Sequence, residues 1–96
     1  MKHMYRLKKY HGDRVQSLTY EKDGRAGSVG IMAPGAYEFG AMERESFTVC
    51  EGEIRVKVGD ATEWKSYGKG ETFVIPEHAN FKLQTDDIAT YYCVYG

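Results

Sequence analysis

The side chains best suited to chemistry in this 96-residue chain are an acid, a guanidinium and an imidazole: Glu45, Arg25 and His78. Arg25 lies in Gly24-Arg25-Ala26-Gly27-Ser28-Val29-Gly30, where the glycines imply flexible backbone with exposed amides. A guanidinium in that setting suits forked contacts with phosphate oxygens. The segment is not a P-loop, because it lacks the Gly-Lys-Ser/Thr ending and no helical pattern follows to supply an N-terminal dipole. Arg25 is therefore either a solvated turn residue or an anion contact. Glu45 precedes Phe47 and Val49 and follows Tyr37 and Phe39. If these share a face, a carboxylate stands beside two aromatic rings and needs hydrogen-bond partners to offset its burial; otherwise it is a strand-start acid that reaches solvent. His78, two residues after Pro76, is either an ordinary exposed loop histidine or an acid–base group. Cys50 and Cys93 have no second cysteine and no histidine beside them in sequence, and read as buried or half-buried free thiols.

The elements that position these residues are short strands. Gly70 allows the turn into Thr72-Phe73-Val74-Ile75, and Pro76, without an amide hydrogen, ends that strand. Glu53-Ile54-Arg55-Val56-Lys57-Val58 alternates charged and apolar residues, the pattern of a strand with one wet and one dry face. Further strands are expected over Arg14 to Tyr20, closed by the Asp23-Gly24 hairpin signal, over Ala36 to Ala41, from Asn80 to Thr85 and from Ala89 to Tyr95. Gly59 to Trp64 reads as a turn into a short strand with Trp64 as a packing anchor. Residues 1–9 read as a polar, basic arm, open to disorder, and residues 10–96 as one domain without repeats or linkers.

Glu45, six residues and Gly52, together with Gly70, five residues and Pro76, resemble the two motifs of the cupin barrel. The resemblance implies an all-β, single-domain, jelly-roll-type barrel. The metal-ligand histidines of that pattern are replaced: the paired slots before Glu45 hold Phe39 and Ala41, or Glu38 and Gly40, and the last falls on Phe81. One carboxylate does not substitute for a set of imidazoles, so no metal is expected.

Composition narrows the partners. Thirteen basic against fourteen acidic residues give a net charge of -1, spread along the chain, which argues against a nucleic-acid surface. No apolar run reaches membrane-spanning length and the N-terminus lacks a signal-peptide segment, so a cytoplasmic protein with reduced cysteines is expected.

Gly24-Arg25-Ala26, Ser28 to Met32, Gly35-x-Tyr37-x-Phe39, Asp60-Ala61-Thr62-x-Trp64, Pro76-x-His78-x-x-Phe81-x-Leu83-Gln84 and Tyr91-x-Cys93-x-Tyr95 together resemble the small bacterial pyrimidine/purine nucleoside phosphorylases. Two departures stand out: Gly27 is additional to the pattern, and Glu77 stands where glycine is expected. The resemblance implies a homodimer that cleaves nucleosides with orthophosphate as co-substrate and with no metal or organic cofactor. It assigns Arg25 and Ser28 to phosphate, Glu45 and His78 to catalysis, and Tyr37, Phe39, Phe81 and Tyr91 to the nucleoside-binding walls. Gln84 falls on the outer face by the pleat and is assigned at most to a subunit interface. The alternative reading is a non-catalytic cupin that binds a small sugar or metabolite.

Overall fold

The computed structural model describes residues 5–96 and is all-β, with ten strands in two antiparallel sheets. The strands are β1 (Tyr5–Tyr10), β2 (Val15–Lys22), β3 (Arg25–Met32), β4 (Gly35–Gly40), β5 (Glu45–Glu51), β6 (Ile54–Val58), β7 (Lys65–Tyr67), β8 (Thr72–Ile75), β9 (Asn80–Thr85) and β10 (Ala89–Tyr95). One sheet has the order β1-β2-β3-β10-β5-β8 and the other β4-β9-β6-β7. This is the jelly-roll, cupin-like architecture expected from the punctuated strands.

Burial alternates along each strand as the pleat requires. Val15 and Ser17 on β2, Phe47 and Val49 on β5, Phe73 and Ile75 on β8, Phe81 and Leu83 on β9, and Tyr91 and Cys93 on β10 all point between the sheets. Aromatic rings form much of this filling: Phe47 stacks on Phe73 at 5.0 Å, Phe39 on Phe81 at 5.6 Å, and Phe47 meets Phe81 edge-on at 5.9 Å. The two stacked pairs are cross-strand neighbours within one sheet each, and the edge-on Phe47–Phe81 contact, a geometry rings prefer, joins the two sheets. Pro76 ends β8 as expected, and Asp23 and Gly24, both at positive φ, close the β2–β3 hairpin between the paired Lys22 and Arg25.

Several expectations are corrected. Positions 1–4 of the basic arm lie outside the described residues, but from Tyr5 the segment is strand β1, paired residue by residue with β2 from Tyr5↔Tyr20 to Tyr10↔Val15. Its cations suit an edge strand, where charge discourages pairing with other chains. The glycine-rich segment is not a flexible cradle: it is β3, a strand paired on both sides, with β2 and with β10, so the amides beside Ser28 belong to sheet ladders. Gly27 fits this ladder without a bulge, opposite Tyr20 and Val94. β4 runs over Gly35–Gly40 rather than Ala36 to Ala41, and β7 begins after Trp64. Trp64 is only half-buried and carries the Lys57 ammonium 4.8 Å from its ring centroid, so it is a surface contact rather than a core anchor. Cys50 is exposed, whereas Cys93 is buried.

Of the glycines, Gly30 has the least room for a side chain. A Cβ there would overlap the Tyr91 ring at its Cζ. Gly30→Ala should therefore displace Tyr91 and destabilise the fold by about 1–3 kcal/mol, the usual cost of overpacking. Urea unfolding of the two proteins measures this, and an unchanged midpoint would show that the ring moves freely.

Candidate functional site

The alternation that builds the core leaves one end of the barrel unfilled. A chamber of about 110 Å³ opens there, lined by Tyr10, Ser17, Phe39, Gly40, Glu45, Phe47, Phe81, Leu83, Tyr91 and Tyr95. Its walls are mostly rings, and its carboxylate is Glu45, the first residue of β5, set opposite Tyr95 on β10 and Ile75 on β8. A shallower groove of about 330 Å³ continues outward from it, sharing Tyr10, Gly40, Glu45 and Tyr95 and adding Lys8, Thr19, Ala26, Met42 and Glu43. The chamber alone is smaller than the roughly 300–1,000 Å³ of most ligand sites. It takes one ring-sized group, and the groove must take the rest of a larger ligand.

The polar groups of this end are tuned by burial. Withdrawal from water, aided by repulsion from nearby Glu43, pushes the Glu45 carboxyl up to about 7. Loss of water also raises Tyr95 to about 12 and Cys93 to about 12, and holds Tyr91 well above the ordinary phenol range. Cys93 is therefore a thiol at neutral pH and no nucleophile. The Tyr95 hydroxyl meets Ser28 Oγ at 3.0 Å. Thr19 Oγ1 is buried and has no hydrogen-bond partner.

Of the residues named from sequence, Glu45, Phe39, Phe81 and Tyr91 converge on the chamber. Ser28 is buried just behind it, touching the site through Tyr95. Tyr37 is a core residue that does not line the chamber; its hydroxyl donates to Ala33 O at 2.7 Å and accepts from Arg14 Nε at 3.3 Å. Arg25 lies on the opposite face of the sheet, in an outer groove with Tyr20, Lys22, Asp23 and Tyr92. His78 is exposed in the turn after β8, at positive φ, with Nε2 3.4 Å from Glu77 and its amide donating to Ala41 O. It does not line the chamber. Gln84 is on the outer face, accepting from Arg55 Nε at 2.8 Å in a network with Asp86. Tyr10, Phe47, Tyr95, Lys8 and Thr19 were not read as site residues. The alternation through Tyr91, Cys93 and Tyr95 signalled Tyr95, but nothing local signalled Lys8 and Thr19, because they join the site only through the β1–β2 pairing.

Among the described residues no three His, Cys, Asp or Glu side chains gather to hold a metal ion. Phe39 and Phe81, at two of the slots where the cupin pattern expects ligands, stack on each other instead. Among the same residues no helix is long and apolar enough to cross a membrane.

Comparison with known proteins gives the family and the fold. The sequence profile of the pyrimidine/purine nucleoside phosphorylases matches residues 6–95. The chain belongs to this family. It is 33% identical to the pyrimidine/purine nucleoside phosphorylase of Alcanivorax borkumensis over 93 residues, covering 97% of this chain and 99% of that protein. It is 36% identical to that of Pseudomonas savastanoi pv. phaseolicola, covering 96% and 99%. Among solved structures, a protein of unknown function from Vibrio parahaemolyticus superposes with a TM-score of 0.92 at 35% identity, covering 96% of this chain and 98% of that one. The cupin domain of Schizosaccharomyces pombe Cnp3 superposes at 0.72 with 17% identity, covering 94% and 67%, a likeness of fold alone.

The position of Glu45 carries a stability signature. Its acid is held near 7 in the folded chain and falls back to about 4.5 on unfolding, so the native state binds the extra proton. Stability contributed by that proton is present below about pH 4.5 and is lost as pH rises through about 7. Denaturant unfolding from pH 5 to 8 should show Glu45→Gln gaining stability relative to the natural chain as pH rises, levelling above about 7. A constant difference between the two proteins would mean that the carboxylate is well solvated.

Proposed function

We propose that the protein is a nucleoside phosphorylase, a pentosyltransferase that cleaves purine and pyrimidine nucleosides with orthophosphate. The observation that carries this reading is a single half-buried carboxylate at the mouth of a ring-lined chamber, in a chain matched end to end by proteins named for that activity.

In the reaction a phosphate oxygen bonds to the anomeric carbon while the glycosidic carbon–nitrogen bond breaks. Its electron pair leaves with the base, which takes a proton, and the sugar becomes a pentose 1-phosphate. The transition state carries positive charge on the sugar ring. Ionised Glu45 accepts hydrogen bonds from the sugar hydroxyls and favours that charge, strongly so where water is scarce. The base sits in the chamber against Phe39, Phe81 and Tyr91, and because every base has a π-face, stacking of this kind tolerates purines and pyrimidines alike. No step assigns a role to a metal or organic cofactor. His78 is placed outside the chamber, so the base is protonated from the groove or from solvent. Tyr37 supports the wall from behind rather than touching the base.

The enzyme is further read as a cytoplasmic homodimer. Leu7, Leu18, Val29, Ile31 and Tyr92 form an exposed apolar stretch on the outer face of the six-stranded sheet, the kind of patch that a second copy covers. Light scattering should give twice the chain mass for the natural protein, and the chain mass for a Leu18→Lys, Val29→Lys variant. A natural protein that is monomeric at micromolar concentration would exclude the dimer.

Incubation of the pure protein with several nucleosides should release free base only when phosphate is present. Glu45→Gln should lower kcat by about tenfold or more with a much smaller change in nucleoside KM, because the carboxylate acts on a charge that exists only in the transition state. The natural enzyme should gain rate as pH rises through about 7, where Glu45 ionises, and the variant should lose this step. Prolonged chelation should leave activity intact. Nucleoside binding without phosphate consumption would instead identify a non-catalytic binding cupin.

A further inference from the structure

Under the phosphorolysis reading the co-substrate must be held beside Glu45, and Arg25 is on the wrong face of the sheet for that. The inner face of β1 and β2 offers other donors. Strand pairing sets Lys8 opposite Ser17, and Arg6 opposite Thr19. Ser17 is buried in the chamber wall, so the alternation turns Lys8 and Arg6 to the same inner side. Lys8 and Thr19 both line the groove that runs into Glu45, and Arg6 continues it outward.

Three observations single this place out. Neither Lys8 nor Arg6 has a salt-bridge partner among the described residues, so their charges are not committed elsewhere. Thr19 Oγ1 is buried without a hydrogen-bond partner, and a buried hydroxyl left in that state is costly unless something in the groove bonds to it. The groove is also continuous with the chamber through Glu45 and Tyr95, so a group held by Lys8 lies next to whatever Glu45 contacts. Glu21 and Glu43 border the same surface and confine the cationic stretch to Lys8 and Arg6.

We propose that Lys8 and Thr19, with Arg6 at the outer end, form the seat of the phosphate co-substrate on the inner face of β1–β2. This rests on the phosphorolysis reading for its catalytic meaning, but the seat itself is a claim about inorganic phosphate. The ligand order along the site is then base in the ring-lined chamber, sugar at Glu45, and phosphate in the groove. That order brings the attacking oxygen to the open side of the sugar, away from the buried base.

The test uses the intact chain and inorganic phosphate. Calorimetric titration, paired with steady-state kinetics at varied phosphate, is run on the natural protein and on Lys8→Met, Thr19→Val and Arg25→Gln. Lys8→Met should weaken phosphate binding and raise the phosphate KM by about tenfold, the scale of one lost charge-assisted hydrogen bond. Thr19→Val should weaken both by about threefold to tenfold without lowering the melting temperature, since it removes an unpaired hydroxyl and keeps a β-branched shape. Arg25→Gln should leave both within about twofold. Base release with a phosphate KM indifferent to Lys8 and Thr19 overturns the seat while the phosphorolysis reading stands. Phosphate binding that depends on Lys8 without any base release overturns the reaction and leaves the seat. Phosphate affinity lost only in Arg25→Gln overturns the seat in favour of the outer groove.

Discussion

Side chains on a β-strand point alternately to its two faces, and in this barrel that period of two decides which groups can ever meet. Glu45, Phe47 and Val49 share the inner face of β5; Tyr91, Cys93 and Tyr95 share that of β10; Ser17 and Thr19 share that of β2. The chamber is simply where these inner faces converge at one end with too little side-chain volume to fill the space. A single residue inserted in any of these strands, unless a bulge absorbs it, moves everything beyond it to the other side.

Within that enclosure the acid is held at an energetic disadvantage. Rings and the neighbouring Glu43 keep Glu45 near neutrality, at a value far above that of a solvated glutamate. A fold selected for stability alone would place glutamine or a hydrophobic residue there. The rings crowding it also belong to the core, through the Phe39–Phe81 and Phe47–Phe81 contacts, so the site is cut into the packing rather than added to it. The same rings that make the carboxylate unstable exclude water from it, and in the proposed reaction that exclusion is what strengthens its interaction with the developing cation. Stability lost and electrostatic leverage gained have one cause.

The fold was legible because its punctuation is local: Gly70 and Pro76 bracket β8, Asp23-Gly24 closes a hairpin, and the alternation through Ile54, Val56 and Val58 names a strand. The half of the site contributed by such strands was legible too, and Glu45, Phe39, Phe81 and Tyr91 do gather. The other half was not. β1 reads Tyr-Arg-Leu-Lys-Lys-Tyr, with too many cations to suggest a strand by composition, and it is held in place by a pairing with β2 that no property of its own residues announces. Tyr37 misled for a different reason. It shares its face with Phe39, but its ring sits further along the barrel, where its hydroxyl is taken up by Ala33 and Arg14. Face alternation gives direction, not depth.

Arg25 shows how much can turn on one residue. Ser28 faces inward, and Arg25 stands three positions before it, an odd step, so it faces outward. The resemblance counts Gly27 as additional to the family's spacing, and β3 runs through it without a bulge, opposite Tyr20. Counting without Gly27 places the arginine two positions before the serine and therefore on the inner face. The residue is a glycine for a local reason as well, since a Cβ there would stand 2.9 Å from the Tyr20 hydroxyl, which crosses the outer surface of the strand. On that count, one added residue in an unbulged strand leaves the sheet intact and turns the arginine outward. Arg25 therefore faces away from the chamber, and the inner-facing cation that lines the groove beside Glu45 is Lys8, on β1.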